Sequence, residues 1–402
     1  MEFNRSRKER RMENTNRREM NILRLIRHAL WGTEGTSFAI SSEEYEELKN
    51  HTVLSLLTPV IKHISMPPEL RKAWNELAVQ QLNYNVNMAH LQANLPLRVP
   101  YVILKGTSAA RYYPHPEYRT MGDIDLMTRR EDLNKAYHQM VEGGYDVLKS
   151  AEKEICLVQN GTVVELHRRF ATLSDPKKAK CMDDMIIDHI NDSRILPDAF
   201  NGLTILEHIN QHLEGGLGLR QIIDWMMFVN QCLTDEKWPE FKQLTEKIGL
   251  TNLAVTTTRM CEIYLGLPRQ QWCSGADEDL CEQLLDYVLL CGNFGNKKTT
   301  DKAISENAFA YARSPRTVFR MLQRQGVENW NAARRFSVLR PFAWIYQAFR
   351  YAHRGLKRDR AVTKIKSEYS NAMKRRKMFE VLGVNMTSKG IAVLKDGKYV
   401  KR

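Results

Sequence analysis

Near residue 100 the hydrophobic pattern of this chain changes period, and near residue 177 it changes back. Any fold it adopts must therefore set a small sheet inside a helical body. Upstream, Ile22, Leu23, Leu25, Ile26 and Leu30 make a helical stripe. Ser41 followed by Glu44 is a capping-box pattern for a second helix running toward Leu57, with Pro59 as a break. Pro67 and Pro68 restart the chain into a long helix from about Glu69 to Asn94, which Pro96 and Pro100 end. Strands are then expected at Tyr101–Leu104, at Asp123–Met127, and at Ile155–Val158 and Val163–His167. Asn160-Gly161 supplies a hairpin turn between the last two, and a helix from about Glu131 to Gly143 precedes them. From about Lys177 onward only helices are read, including Leu203–Leu213 and Leu219–Cys232, with one short strand in the tail after Ser388.

The strands carry acids where apolar residues are expected. Residues two apart in a strand share a face, so Asp123 and Asp125 project side by side with Ile124 turned the other way. Adjacent carboxylates repel unless a cation sits between them, and hard oxygen ligands suit Mg²⁺ or Mn²⁺. Glu165 lies between Val164 and Leu166, a costly place for an acid without a partner. Pairing the strands would bring it beside the two aspartates and complete a metal cage suited to phosphoryl displacement. Upstream, Lys105-Gly106-Thr107-Ser108 follows a strand and precedes a helix. Glycine lets backbone amides approach a phosphate, and a helix start favours anions.

Charge adds a second theme. Between Arg313 and Lys377 there are 18 Lys or Arg against three acidic residues, a surplus of 15 that exceeds the +13 of the whole chain. Phe342, Trp344, Tyr346, Phe349 and Tyr351 interleave with Arg340, Arg350, Arg354, Lys357 and Arg358. That pattern suits a polyanion or an anionic membrane surface. The plainer alternative packs these aromatics on the body and shows the charges to water. The chain has no run of about 18 apolar residues and no signal-type segment, and its seven cysteines include no CxxC pair. An intracellular, cytoplasmic protein with reduced thiols is expected, with peripheral membrane binding through the basic segment. Met12 and Met20 are alternative starts.

The succession of Lys105-Gly106, Arg119, Gly122-Asp123-Ile124-Asp125-Leu126 and Glu165-Leu166-His167 resembles the DNA polymerase beta nucleotidyltransferase superfamily. More closely it resembles an uncharacterised bacterial nucleotidyltransferase family. Gly218-Leu219-Arg220-Gln221 with Asp224-Trp225, and Gly292-Asn293-Phe294-Gly295, are also similar to pieces of that family, so the likeness runs from roughly residue 70 to 300. It implies an α+β fold, with a small mixed β-sheet nucleotidyltransferase core of polymerase-beta type embedded in a mainly α-helical protein. The expected division is a disordered basic arm (1–20), a helical region (21–98), the core (99–176), a helical domain (177–312) and a basic C-terminal helical region and tail (313–402). Arg168 and Arg169 depart from the pattern, since an aromatic is expected after the histidine.

The activity implied is transfer of NMP from an NTP, with release of pyrophosphate, to an acceptor that is a small molecule, a protein or an RNA. Asp123, Asp125 and Glu165 are the expected catalytic and metal-holding residues. Lys105, Gly106, Thr107, Ser108, Arg119 and Arg220 are expected to hold the nucleotide. The bland readings are a core ion pair of Glu165 with Arg119 and an i,i+4 ion pair of Arg220 with Asp224. His208 and His212 share one helical face, and with no third ligand in the sequence nearby they read as packing. Rival functions are a non-catalytic RNA- or membrane-binding protein on a degenerate transferase fold, and a kinase-like phosphotransferase using the same cage.

Overall fold

The computed structural model describes residues 17, 19–32, 37–150, 153–191, 193–213 and 216–293, and beyond these 319, 322–323, 326–327, 330–356, 373–384, 392–395 and 398–401. The basic arm expected over residues 1–20 lies almost wholly outside the described residues. So do Phe294, Gly295, Arg313, Arg316, Arg320, Arg324 and the basic residues between 357 and 372.

Among the described residues the first elements are two short helices, α1 (Asn21–Trp31) and α2 (Ser42–Asn50). Both halves of the capping box form at α2: Ser41 Oγ accepts from Glu44 N, and Glu44 Oε2 accepts from Ser41 N. Pro59 sits inside a 3₁₀ segment, Ser55–His63, rather than in the α-helix. Two-residue strands β1 (Phe38–Ala39) and β2 (Ile64–Ser65) pair in parallel, and the long helix α3 runs over Pro68–Ala93.

The sheet island follows as expected, with one added strand. Its strands are β3 (Tyr101–Leu104), β4 (Ile124–Thr128), β5 (Asp146–Ser150), β6 (Glu154–Gln159) and β7 (Thr162–His167), in the order β3-β4-β7-β6-β5. Only the β4–β7 pairing within it is parallel, so the sheet is mixed. Helices α4 (Gly106–Ala110) and α5 (Leu133–Glu142) lie between the strands in sequence. The β6–β7 turn places Asn160 and Gly161 at φ of 50° and 77°, the left-handed region that a two-residue hairpin demands.

Strand alternation sorts the side chains onto two faces. Ile103, Ile124, Leu126, Val164 and Leu166 join Met88 of α3 and Ala136 and Met140 of α5 in one core. Val102, Leu104 and Met127 turn the other way, into a second and larger core built by the helices that follow. Those are α6 (Pro176–Ile187), α7 (Asp198–His212), α8 (Leu219–Cys232), α9 (Trp238–Ile248), α10 (Thr251–Leu265) and α11 (Glu278–Cys291). The N-terminal helices share this second core: Arg27 Nη1 and Trp31 Nε1 donate to the carbonyls of Tyr264 and Leu265 at 2.9 and 2.7 Å. The fold is α+β, a mainly helical protein around a small mixed sheet.

Two buried acids fix the chain as it leaves β7. Asp183 Oδ1 accepts from the backbone N–H of Phe170 and of Ala171, each at 2.9 Å. Glu207 Oε1 of α7 accepts from Thr172 N at 2.7 Å, and burial pushes the Glu207 carboxyl up to about 7. Two motif pieces far apart in sequence also meet. A Cβ on Gly218 would stand 2.8 Å from Asn293 Cα, and Gln221 Nε2 donates to Asn293 Oδ1. Only a glycine permits that approach.

Beyond residue 330, α12 (Asn331–Arg335), a 3₁₀ turn (Ser337–Phe342) and α13 (Ala343–Leu356) are formed, and the tail makes a hairpin of β8 (Ala392–Lys395) and β9 (Lys398–Lys401) where one strand is expected. The plainer reading, that the aromatics here pack on the body, fails for two of them. Phe342 and Phe349 are 55% and 72% exposed, beside Phe336 and Val338, which are also exposed. Trp330 and Tyr346 stack on each other instead. Among the described residues no helix is long and apolar enough to cross a membrane.

Candidate active site

The strand face turned toward the helices carries the acids. Asp125 of β4 stands in register with Glu165 of the parallel strand β7, and with Leu104 on its other side. Asp123 lies two residues earlier, just before β4 begins, at the edge of the same cavity. That cavity holds about 330 Å³. Asp123, Asp125 and Glu165 line its sheet side, while His208, Gln211, His212 and Arg220 line it from α7 and α8.

Asp125 is buried at 2% exposure and is held from two directions. Lys105 Nζ lies 2.6 Å from its Oδ1, and His167 Nε2 lies 2.7 Å from the same oxygen. Burial raises its pKa, but the Lys105 charge and the His167 hydrogen bond outweigh this and hold the carboxyl well below the usual range. His167 is shifted down by burial, against the pull of Asp125, and is neutral. It therefore donates Nε2–H to the ionised Asp125 and orients it. Glu165 is different: burial first, then the charges of Asp125 and Asp123, push its carboxyl up to about 7. Asp123 is also raised, chiefly by Asp125.

Lys105 reaches Asp125 because the chain kinks there. Its φ of 52° and ψ of −140° are rare for a residue with a Cβ, and such a conformation costs about 1–3 kcal/mol. Gly106 follows at φ 37°, where a Cβ would be strained. Both residues line the cavity. Thr107 and Ser108 do not. Thr107 Oγ1 donates to Gln92 Oε1 at 2.7 Å, and Ser108 Oγ donates to the carbonyl of Ile103 at 2.8 Å. The hydroxyls expected to hold phosphate are turned into the protein.

Arg119 borders the cavity, but its guanidinium is committed elsewhere. Nε and Nη2 donate to the two oxygens of Asp224 at 2.7 and 2.6 Å, and Tyr113 Oη donates to the same carboxylate at 2.6 Å. All three groups are buried. The partner of Asp224 is thus Arg119, across 105 positions, where the i,i+4 pair with Arg220 is the simplest sequence reading. Nor does Glu165 pair with Arg119. Arg220 lines the cavity, with Nη1 donating to the carbonyl of Thr120 at 3.1 Å.

The site thus gathers Lys105, Gly106, Arg119, Asp123, Asp125, Glu165 and Arg220 of the expected residues. Sequence reading assigns no role in the site to His167, Lys153, Glu154 or Gln211, and reads His208 and His212 as packing. The signal for His167 was available: it lies two residues from Glu165 on one strand, hence on the same face.

A mixed sheet whose parallel central pair presents two carboxylates to a cavity that also carries Lys105, Lys153 and Arg220 on its lining has the makings of a phosphoryl-chemistry site. A family model described as uncharacterised nucleotidyltransferase matches residues 44–266, and the chain belongs to that family. No curated protein and no solved structure matches it.

Proposed function

We propose that the protein is a metal-dependent nucleotidyltransferase that moves NMP from an NTP to an acceptor hydroxyl or phosphate and releases pyrophosphate. The observation that carries this reading is the register of Asp125 with Glu165, with Asp123 one strand step upstream, at one wall of a buried cavity. The donor set fits a hard divalent ion such as Mg²⁺ or Mn²⁺. Carboxylate oxygens of Asp125 and Glu165 lie within 4.8 Å of each other, and Asp123 lines the same side of the cavity. With Nε2–H given to Asp125, His167 serves as a support behind the carboxylates. Asp123, Asp125 and Glu165 would hold the ion, which when bound supplies charge stabilisation to the transferring phosphoryl group.

The chain's own groups do the rest. Lys105 and His167 fix Asp125 in place and keep it ionised. Glu165, whose carboxylate faces the cavity, takes the proton from the acceptor hydroxyl as that oxygen bonds to the α-phosphorus and the bond to the β-phosphate oxygen breaks. Helices α7 and α8 wall the cavity on its far side with His208, Gln211, His212 and Arg220.

The test is incubation with each NTP and Mg²⁺ in the presence of cell RNA, protein or small-molecule fractions, reading pyrophosphate. Release that requires one fraction supports the reading and locates the acceptor. No release with any NTP and any fraction overturns it.

The segment around α13 is read here as a surface for an anionic partner, and the exposure of Phe342 and Phe349 beside Arg340 and Arg350 supports that. Phe342→Ser with Phe349→Ser should leave NTP binding unchanged and weaken sedimentation with phosphatidylserine vesicles about tenfold. Sedimentation equal to that of the unaltered protein removes the aromatics from any membrane role.

A further inference from the structure

The helical wall of the cavity carries a pair of groups that the reaction above leaves unused. His208 and His212 stand one turn apart on α7. Their Nε2 atoms approach to 2.9 Å, and their rings meet edge to face with centroids 4.6 Å apart. Both line the cavity opposite the acids, with Arg220 of α8 beside them and Lys153 also on the lining. Burial, together with the charges of Lys105 and Arg220, keeps both imidazoles neutral. One proton then lies between the two nitrogens.

Two converging imidazole nitrogens could face a cation or an anion, and the surroundings decide. Among the described residues no third His, Cys, Asp or Glu joins this pair in a metal-binding group. Lys105 and Arg220 act against protonation of both histidines, Arg119 against that of His208 and Lys153 against that of His212, while Asp125 acts the other way on His212. Positive charges prevail at this wall, which suits an anion better than a cation. Four of the six residues expected to hold the nucleotide are engaged elsewhere, Thr107 with Gln92, Ser108 with Ile103, Lys105 with Asp125 and Arg119 with Asp224, while Gly106 and Arg220 stay on the lining.

We propose that His208 and His212, with Arg220, form the polyphosphate-binding wall of the site and take the pyrophosphate end of the nucleotide. This rests on the nucleotidyl-transfer reading and adds where the leaving group lies. An entering phosphate oxygen takes the N–H that the pair now shares, replacing the His208–His212 hydrogen bond with one strengthened by the ligand's charge, and the Arg220 guanidinium adds a positive charge beside it. The reacting α-phosphorus then lies between this wall and the carboxylates, which face it across the cavity.

The test uses the full chain without metal and inorganic tripolyphosphate as the probe, with affinity read by calorimetry. The unaltered protein should bind it, and His208→Gln with His212→Gln should weaken binding about tenfold or more, at an unchanged far-ultraviolet spectrum. If the double variant does not fold, His212→Gln alone, at the half-buried end of α7, is measured in the same way and should show a loss in the same direction. Equal affinity in a folded variant overturns the proposal, as does failure of the unaltered protein to bind the probe. The two readings fail separately. Tripolyphosphate binding that needs the pair, without any nucleotide transfer, leaves the wall standing and removes the transfer reading. Undiminished transfer in the histidine variant does the reverse.

Discussion

Asp125→Asn should reduce nucleotide transfer by about a thousandfold or more, because one change removes a charge proposed to hold the metal and the anchor of two supporting groups. Asp125 is where Lys105 and His167 meet, at 2.6 and 2.7 Å on a single oxygen. An amide keeps the shape, but it offers one neutral acceptor where an ionised carboxylate stood. Lys105 would be left to the charges of Asp123 and Glu165. The loss should fall on the rate of the chemical step, measured in single turnovers at saturating NTP, since the polyphosphate contacts lie on the opposite wall. Retention of a tenth or more of the rate would remove Asp125 from the centre of the mechanism.

The largest effect on stability is expected at Asp224. Its carboxylate accepts three hydrogen bonds, two from the Arg119 fork and one from Tyr113, and all three groups are buried. Asp224→Ala leaves the Arg119 guanidinium buried without its counter-ion, which costs about 3–5 kcal/mol. Arg119→Met with Asp224→Leu removes both charges and should recover much of that, because two matched apolar side chains incur no desolvation cost. Urea unfolding of the two variants separates the contributions. A loss below about 1 kcal/mol in Asp224→Ala would mean that the pair is not a clamp. The clamp matters for the site because Arg119 belongs to the segment that delivers Asp123, while Asp224 belongs to α8, which also carries Arg220. It ties the sheet wall to the helical wall.

Much of the core was legible because its signals are local. Strands β3, β4, β6 and β7 announce themselves by short apolar runs, and Asn160-Gly161 names its own turn. Strand β5 was missed because all five of its residues, Asp146–Ser150, are exposed, and an edge strand with no buried face leaves no apolar alternation to read. The strands β1 and β2, two residues each, are too short to carry a period. The carboxylates of the site could be found from sequence because an acid alternating with buried aliphatics is costly and so conspicuous.

What could not be read is orientation between distant elements. The face that α7 turns to the sheet decides whether His208 and His212 are packing or part of the cavity wall, and nothing in the helix sets that. The same holds for Asp224. Spacing offers Arg220 at i−4, while the fold supplies Arg119 with better fork geometry. Thr107 and Ser108 illustrate the converse error. A Gly-Thr-Ser turn can aim its hydroxyls at a ligand or at the protein, and here neighbouring acceptors on Gln92 and Ile103 take them.

The central claim is that this carboxylate site transfers a nucleotidyl group. The measurement that bears on it most directly uses the same NTP labelled in turn at the α- and the γ-phosphate, with Mg²⁺ and the acceptor fraction. The account predicts label on the acceptor from the α-position alone, pyrophosphate as the other product, and loss of both in Asp125→Asn. Label arriving from the γ-position, with a nucleoside diphosphate released, would show a phosphotransferase and contradict it.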